Sequence, residues 1–288
     1  MILAVLVAFP VLGDWKLVWS DEFERNSIDT NHWAFDIGNG RSSNGWGNHE
    51  LEFYTSRPEN AFVSNGVLHI VAIKEGYEGH GFTSARMKTH GLFCQKYGKF
   101  ELRAKLPTGQ GYWPALWLMP CDSGYGGWPA SGEIDVMENR GRDPGTVLGT
   151  IHFGGPGARR DQSHGPAFKF PGRESVAAFH TYALEWSTNA IDWSIDGKSY
   201  ERQTNWWSSG GKYPAPFDRP FYIIINLAVG GDFGGNPDAA TVFPGEMQVD
   251  YVRVYDLVAE PAISSPRQSP GSVSSKRAIP VGSASGQR

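Results

Sequence analysis

Cysteine is nearly missing: Cys94 and Cys121 are the only two in 288 residues, so no disulfide framework holds this fold together. The two can pair in an oxidising compartment, and two buried thiols fit equally well. Charge of one sign is also in short supply, the formal net charge being −4 with acids and bases interspersed. This excludes a basic field for nucleic acid and a polybasic run for an anionic membrane surface, so neither partner is expected and a small or uncharged ligand is. None of the 8 His forms an H-x-x-x-H pair and neither cysteine lies in a C-x-x-C, which argues against zinc, and there is no G-x-S-x-G elbow for serine catalysis. The opening run MILAVLVAFPVLG is too short to span a bilayer. It suits the hydrophobic part of a secretion signal, truncated because a positive n-region and a clear cleavage site are lacking; a buried first strand is the alternative.

Sustained helical periodicity is nearly absent too. In its place stand short runs of β-branched and aromatic residues, such as FVSNGVLHIVAI, YGKFELRAKL, GEIDVME and FYIIINLAV, punctuated by Gly, Asn, Asp and Pro. Asn65-Gly66, Asp196-Gly197 and Pro107-Thr108-Gly109 each sit between two such runs and read as hairpin turns. The expected fold is all-β, a single sandwich or barrel over 14–258. Residues 259–288 turn into Ser, Pro and Gly and read as a disordered tail. Aromatic residues make up 13% with 11 Trp, equally suited to a large core and to stacking on a neutral ligand. In FYIIINLAV, Asn226 is the lone polar residue, so it is either a hydrogen-bonded core amide or faces a cleft.

SGEIDVMENRG at 131–141 crowds Glu133, Asp135 and Glu138 into six residues whose neighbours look like a strand interior. Burying like charges side by side costs free energy, so folding alone gives little reason for the choice. Alternation puts Glu133 and Asp135 on one face and sends Glu138 to the other. One extra residue, a β-bulge at Val136-Met137, brings Glu138 back. Two carboxyl groups facing one substrate are the equipment of glycoside hydrolysis, and a third acid raises a neighbour's pKa and keeps it protonated. A calcium loop would interleave Asp, Asn and Gly in irregular chain, unlike this strand.

SGEIDVME fits the E-x-D-x-x-E signature of glycoside hydrolase family 16. The stretches SDEFE, NHELEFYT, ARMKTHGLFCQKYGKFELRAKLPTGQGYWPALWLMP, GTIHFGG, INLAVGGDFGG and VDYVRVYD, in order from 20 to 256, resemble its laminarinase-like, endo-β-1,3-glucanase branch. The resemblance implies a β-jelly-roll sandwich with a substrate cleft on its concave sheet. It implies that Glu133 is the nucleophile, Glu138 the general acid/base and Asp135 the assisting acid. Asn44, Glu50, Arg86, Trp113, Trp117, Trp128, His152 and Asn226 match substrate-binding positions in the cleft. No cofactor is implied for catalysis. Many members carry a structural calcium on the convex side, bound by main-chain oxygens near the first strand and the N-G turn and by one Asp from the last strand; the matching positions here are Glu22, Gly66 and Asp250. Where many laminarinases have a Trp after the second Gly of NLAVGG, this chain reads GGDFGGNP with Phe233, a smaller ring at that end of the cleft.

The expectation is thus a secreted, monomeric, retaining endo-β-1,3-glucanase acting on β-1,3-glucan polysaccharide. A β-glucan transglycosylase uses the same acids. A non-catalytic glucan-recognition protein would have lost them, and the E-x-D-x-E spacing of the lichenase branch is one residue shorter. The basic, Gly-rich segment at 154–165 has no assigned role.

Overall fold

The computed structural model describes residues 14–155, 160–163 and 165–258; the expected signal segment 1–13 and the tail 259–288 lie outside them. In chain order the strands are β1 (Asp14–Asp21), β2 (Ala34–Asp36), β3 (Glu52–Tyr54), β4 (Ala61–Ser64), β5 (Val67–Tyr77), β6 (His80–Ser84), β7 (Arg86–Lys88), β8 (Gly98–Lys105) and β9 (Tyr112–Pro120). They continue with β10 (Glu133–Glu138), β11 (Thr146–Gly154), β12 (Arg160–Ser163), β13 (Phe168–Lys169), β14 (His180–Trp186), β15 (Ile191–Ile195), β16 (Lys198–Gln203), β17 (Phe221–Val229) and β18 (Gly245–Val258). One helical turn, α1 (Gly231–Gly234), follows β17. No helix among the described residues is long and apolar enough to cross a membrane.

The strands form a 10-stranded sheet, ordered β16-β15-β14-β8-β18-β5-β6-β3 with β1 on β18 and β4 on β5, and an 8-stranded sheet, ordered β12-β11-β10-β9-β17-β7-β2 with β13 on β11. This is the jelly-roll sandwich expected from the sequence. β8 shows why the chain layers this way: Phe100, Leu102 and Ala104 are buried while Lys99, Glu101 and Arg103 alternate with them on the outside. Inward residues of both sheets build one core, with Trp33, Trp186, Trp193 and Phe217 among its largest members. β17 lies between β9 and β7 and is buried along nearly its whole length, which explains its continuous apolar run. β1 runs antiparallel to β18 with Asp14 opposite Val258.

Two of the three expected hairpins form. Asn65 and Gly66 join β4 to β5, and Asp196 and Gly197 join β15 to β16, all four with positive φ between 50° and 74°, the backbone such two-residue turns require. The third does not. β8 pairs with β14 and β18 in one sheet whereas β9 pairs with β10 and β17 in the other, so Pro107-Thr108-Gly109 belongs to a crossover between layers. Cys94 and Cys121 are nevertheless disulfide-bonded, with Cα atoms 6.5 Å apart. The start of β17 brings them together, since Gln95 bridges to Phe221 and Cys121 N–H donates to Pro220 C=O at 2.9 Å.

Candidate active site

β10 is the strand on which the site is built. Against β11 it pairs Asp135 with Thr150 and then Glu138 with Leu148, three steps on one strand for two on the other; against β9 the register shifts between Asp135 and Met137. The extra residue is the bulge expected at Val136-Met137. Both bulge side chains enter the core, Val136 2% and Met137 0% exposed, and Glu133, Asp135 and Glu138 share the outer face. There they line a cleft of about 980 Å³ and its inner recess.

Each acid has a fixed neighbour. Trp128 Nε1–H donates to Glu133 Oε2 at 2.6 Å, and Trp113 Nε1–H donates to Glu138 Oε1 at 2.9 Å. His152 Nε2 lies 3.2 Å from Asp135 Oδ2 and 3.9 Å from Glu133 Oε1, while Trp193 Nε1–H holds the Asp135 carbonyl from the core side at 2.8 Å. Burial raises the pKa of Glu133, opposed by the charge of His152. Burial and then the charge of Glu133 push Asp135 up to about 7. Burial and then the charge of Asp135 push Glu138 up to about 8, with Trp113, His152 and Arg140 pulling the other way. Burial disfavours the imidazolium of His152, but its bond to Asp135 and the surrounding acids outweigh that and lift it to about 9. The cluster therefore favours a protonated Glu138 at neutral pH, the state a general acid requires.

The flanking residues form a second network. Trp117 Nε1–H donates to Asn226 Oδ1 at 2.7 Å, Asn226 Nδ2–H donates to Tyr54 Oη at 3.0 Å, and Tyr54 O–H donates to Glu50 Oε2 at 3.0 Å. Asn226 is thus bonded and at the cleft at once, which merges the two readings of it. The Arg86 guanidinium lies over both Trp46 and Trp117 at 4.8 Å and is paired with Asp36 at 3.0 Å. Of the expected binding residues, Glu50, Arg86, Trp113, Trp117, Trp128, His152 and Asn226 line the cleft.

Asn44 does not. It is exposed, stands at φ 57° and closes a tight turn through its carbonyl, which accepts from His49 N–H at 3.1 Å. Trp46 and Asn48 from the same loop line the recess instead, and neither was expected from the sequence. Their signal was a Trp set in a Gly- and Asn-rich loop, where it has no core to fill.

Of the three positions matched to calcium, Glu22 and Gly66 correspond to main-chain donors and Asp250 to a carboxylate donor. Glu22 takes a bidentate pair from Arg253 at 2.9 and 2.7 Å, Asp250 is paired with Arg103, and Gly66 sits in the β4–β5 turn. The Asp250 carboxylate, the one side-chain donor of the matched set, is thus held by a guanidinium. Among the described residues, a cluster with metal-ligating geometry lies elsewhere, where one ligating atom each of Glu133, Asp135 and His152 lie within 4.8 Å of one another; these are groups of the acid cluster.

Comparison with known proteins agrees with this geometry. The family model described as "Glycosyl hydrolases family 16" matches residues 44–253. The chain is 44% identical over 263 residues to a glucan endo-1,3-beta-glucosidase A1 of Niallia circulans, covering 85% of this chain but only 38% of that protein. It is 42% identical to a beta-glucanase of Rhodothermus marinus, covering 89% of this chain and 93% of that one. Among solved structures, the laminarinase catalytic domain of Thermotoga maritima MSB8 superposes with a TM-score of 0.75 at 44% identity, covering 85% of this chain and 100% of that one.

Proposed function

The chain belongs to glycosyl hydrolase family 16, and from that membership we propose that it is a retaining endo-β-1,3-glucanase cleaving internal bonds of laminarin-type β-glucans. The observation that carries the reading is the bulge in β10, which puts Glu133 and Glu138 on one cleft face. Glu133 attacks the anomeric carbon as a carboxylate while Glu138 donates its proton to the departing glycosidic oxygen. Glu138, now ionised, takes a proton from water, which attacks the glycosyl-enzyme and releases Glu133. Asp135, held by His152, supplies the nearby negative charge that favours the protonated form of Glu138. Trp113, Trp117 and Trp46 offer flat apolar faces for the sugar rings, and Glu50, Asn48 and Asn226 offer fixed polar atoms for their hydroxyls.

A cleft lined along the sheet accommodates a polymer through its length, which supports attack on internal bonds, and the E-x-D-x-x-E spacing supports a β-1,3 preference over the lichenase type. A working site on one chain supports a monomer, and the apolar opening run with a disulfide supports secretion. The test is to follow reducing ends and product sizes on laminarin, lichenan, agarose and carrageenan. Laminarin is expected to be cut to short oligosaccharides, and Glu133→Gln to lose at least about a thousandfold in kcat while still binding laminarin. Longer products without new reducing ends would assign a transglycosylase, and full activity in the variant would remove Glu133 from the mechanism.

A further inference from the structure

α1 is an unusual turn to find beside an acid. Gly231 and Gly234 both approach the Trp113 side chain so closely that an added Cβ would sit 3.3 and 3.2 Å from it, and the Phe233 ring packs on the Trp113 ring with centroids 5.1 Å apart. The turn is fastened from the segment that leaves β10. Arg140 lays its guanidinium over the Phe233 ring at 4.2 Å, and Arg142 donates to the Gly234 carbonyl at 2.7 Å. Trp113, clamped in this way, is the residue whose indole N–H reaches Glu138 Oε1. The contacts form a closed circuit running from Glu138 to Trp113, to Phe233, to Arg140, and back along two residues of chain to Glu138.

We propose that Phe233 is a positioning residue for the general acid: clasped by Arg140, it fixes the Trp113 indole so that its N–H holds the Glu138 carboxyl in line with the departing oxygen. This deepens the glucanase reading and rests on it for the role of Glu138. It also changes what Phe233 is for. As a smaller ring at one end of the cleft it would be a reduced stacking platform for sugar, yet its ring is already in contact with a guanidinium and an indole. Such cation–π and aromatic contacts serve rigidity here, and a catalytic group displaced by as little as about 1 Å loses on the order of a hundredfold in rate.

The experiment is steady-state kinetics on laminarin with Phe233→Ala, Phe233→Tyr and Arg140→Ala, each checked for a native circular dichroism spectrum. For Phe233→Ala, kcat is expected to fall about ten- to a hundredfold with KM changed less than about threefold. The basic limb of the kcat/KM profile should move to higher pH, because a freed Trp113 no longer bonds the Glu138 carboxylate. Phe233→Tyr keeps the ring and is expected to stay within about threefold of the parent, and Arg140→Ala to shift the basic limb in the same direction. A raised KM with kcat and the pH profile unchanged would overturn the proposal and make Phe233 a sugar platform. Carboxyl-carbon NMR titration of Glu138 in the free parent and Phe233→Ala proteins reads the same upward shift without substrate, so it separates failure of this proposal from failure of the glucanase reading; an unmoved titration would refute the proposal.

Discussion

Glu52 shows how much one side chain can conceal. It is 0% exposed, its Oε2 accepts the Val229 N–H at 2.6 Å, and its Oε1 has no hydrogen-bond partner. Burial first, and then the charge of Glu50, raise its pKa well above the ordinary 4.5. A carboxyl whose pKa is raised on folding favours the native state below its unfolded pKa, and this contribution is lost as pH rises from about 4.5 through the folded value. Glu52→Gln keeps the shape, the acceptor and a donor but removes the proton from the balance. Its stability relative to the parent is therefore expected to improve progressively as pH rises from about 5 into the alkaline range. Thermal melts across that range check this, and a constant difference would show that Glu52 is ionised in the fold. Alternation in NHELEFYT places Glu50 and Glu52 on one side of the chain, so the local pattern does not separate the buried Glu52 from the cleft-facing Glu50 that the family resemblance implied. Their difference arises from β17, 177 residues away in sequence. The place of Asn44 outside the cleft lining has a similar origin, since a run of positive φ from Asn44 to Gly47 turns the chain so that Trp46 and Asn48 face inward.

β10 works by parity. Glu133 and Glu138 are five positions apart and face the same way only because Val136 and Met137 both turn into the core. Deleting Met137 alone leaves a four-residue spacing, which an unbulged strand also presents on one face. That variant is expected to keep measurable hydrolysis of laminarin while losing about 2 to 5 kcal/mol of stability from the vacated core volume. Deleting Val136 and Met137 together restores odd spacing, turns Glu138 inward and should abolish activity. Activity assays with melting curves on both variants decide the matter; a single deletion that folds and is as inactive as the double would defeat the parity argument. This element was legible in the sequence, since three acids among strand residues demand one face and only a bulge provides it. The β8–β9 crossover was not. A Pro-Thr-Gly turn between two strand-like runs looks the same whether the second run pairs with the first or crosses to the other sheet, and long-range pairing with β14 and β17 decides it.

At the scale of the whole molecule, the Cys94–Cys121 bond ties the approach to β8 in one sheet to the end of β9 in the other across 27 residues of sequence. Closing a loop of that size is worth about 3 kcal/mol, so Cys94→Ser with Cys121→Ser is expected to lower the melting temperature by roughly 10 °C. Calorimetry of the oxidised, reduced and double-Ser proteins checks this, and equal melting would show that the sheets need no such link. Strand content, the sandwich and the acid cluster could all be read from local pattern. Which cleft residues lock one another could not, since Trp113–Glu138, Trp128–Glu133 and Trp117–Asn226 are each set by tertiary packing.

The pairing of Asp14 with Val258 on adjacent strands has a bearing on modularity. Both ends of the described fold leave from one spot on the 10-stranded sheet. A unit with abutting ends behaves like a plug on a single stem: it can be carried within or beside other domains while its cleft, built on the opposite sheet, stays free for a passing polymer.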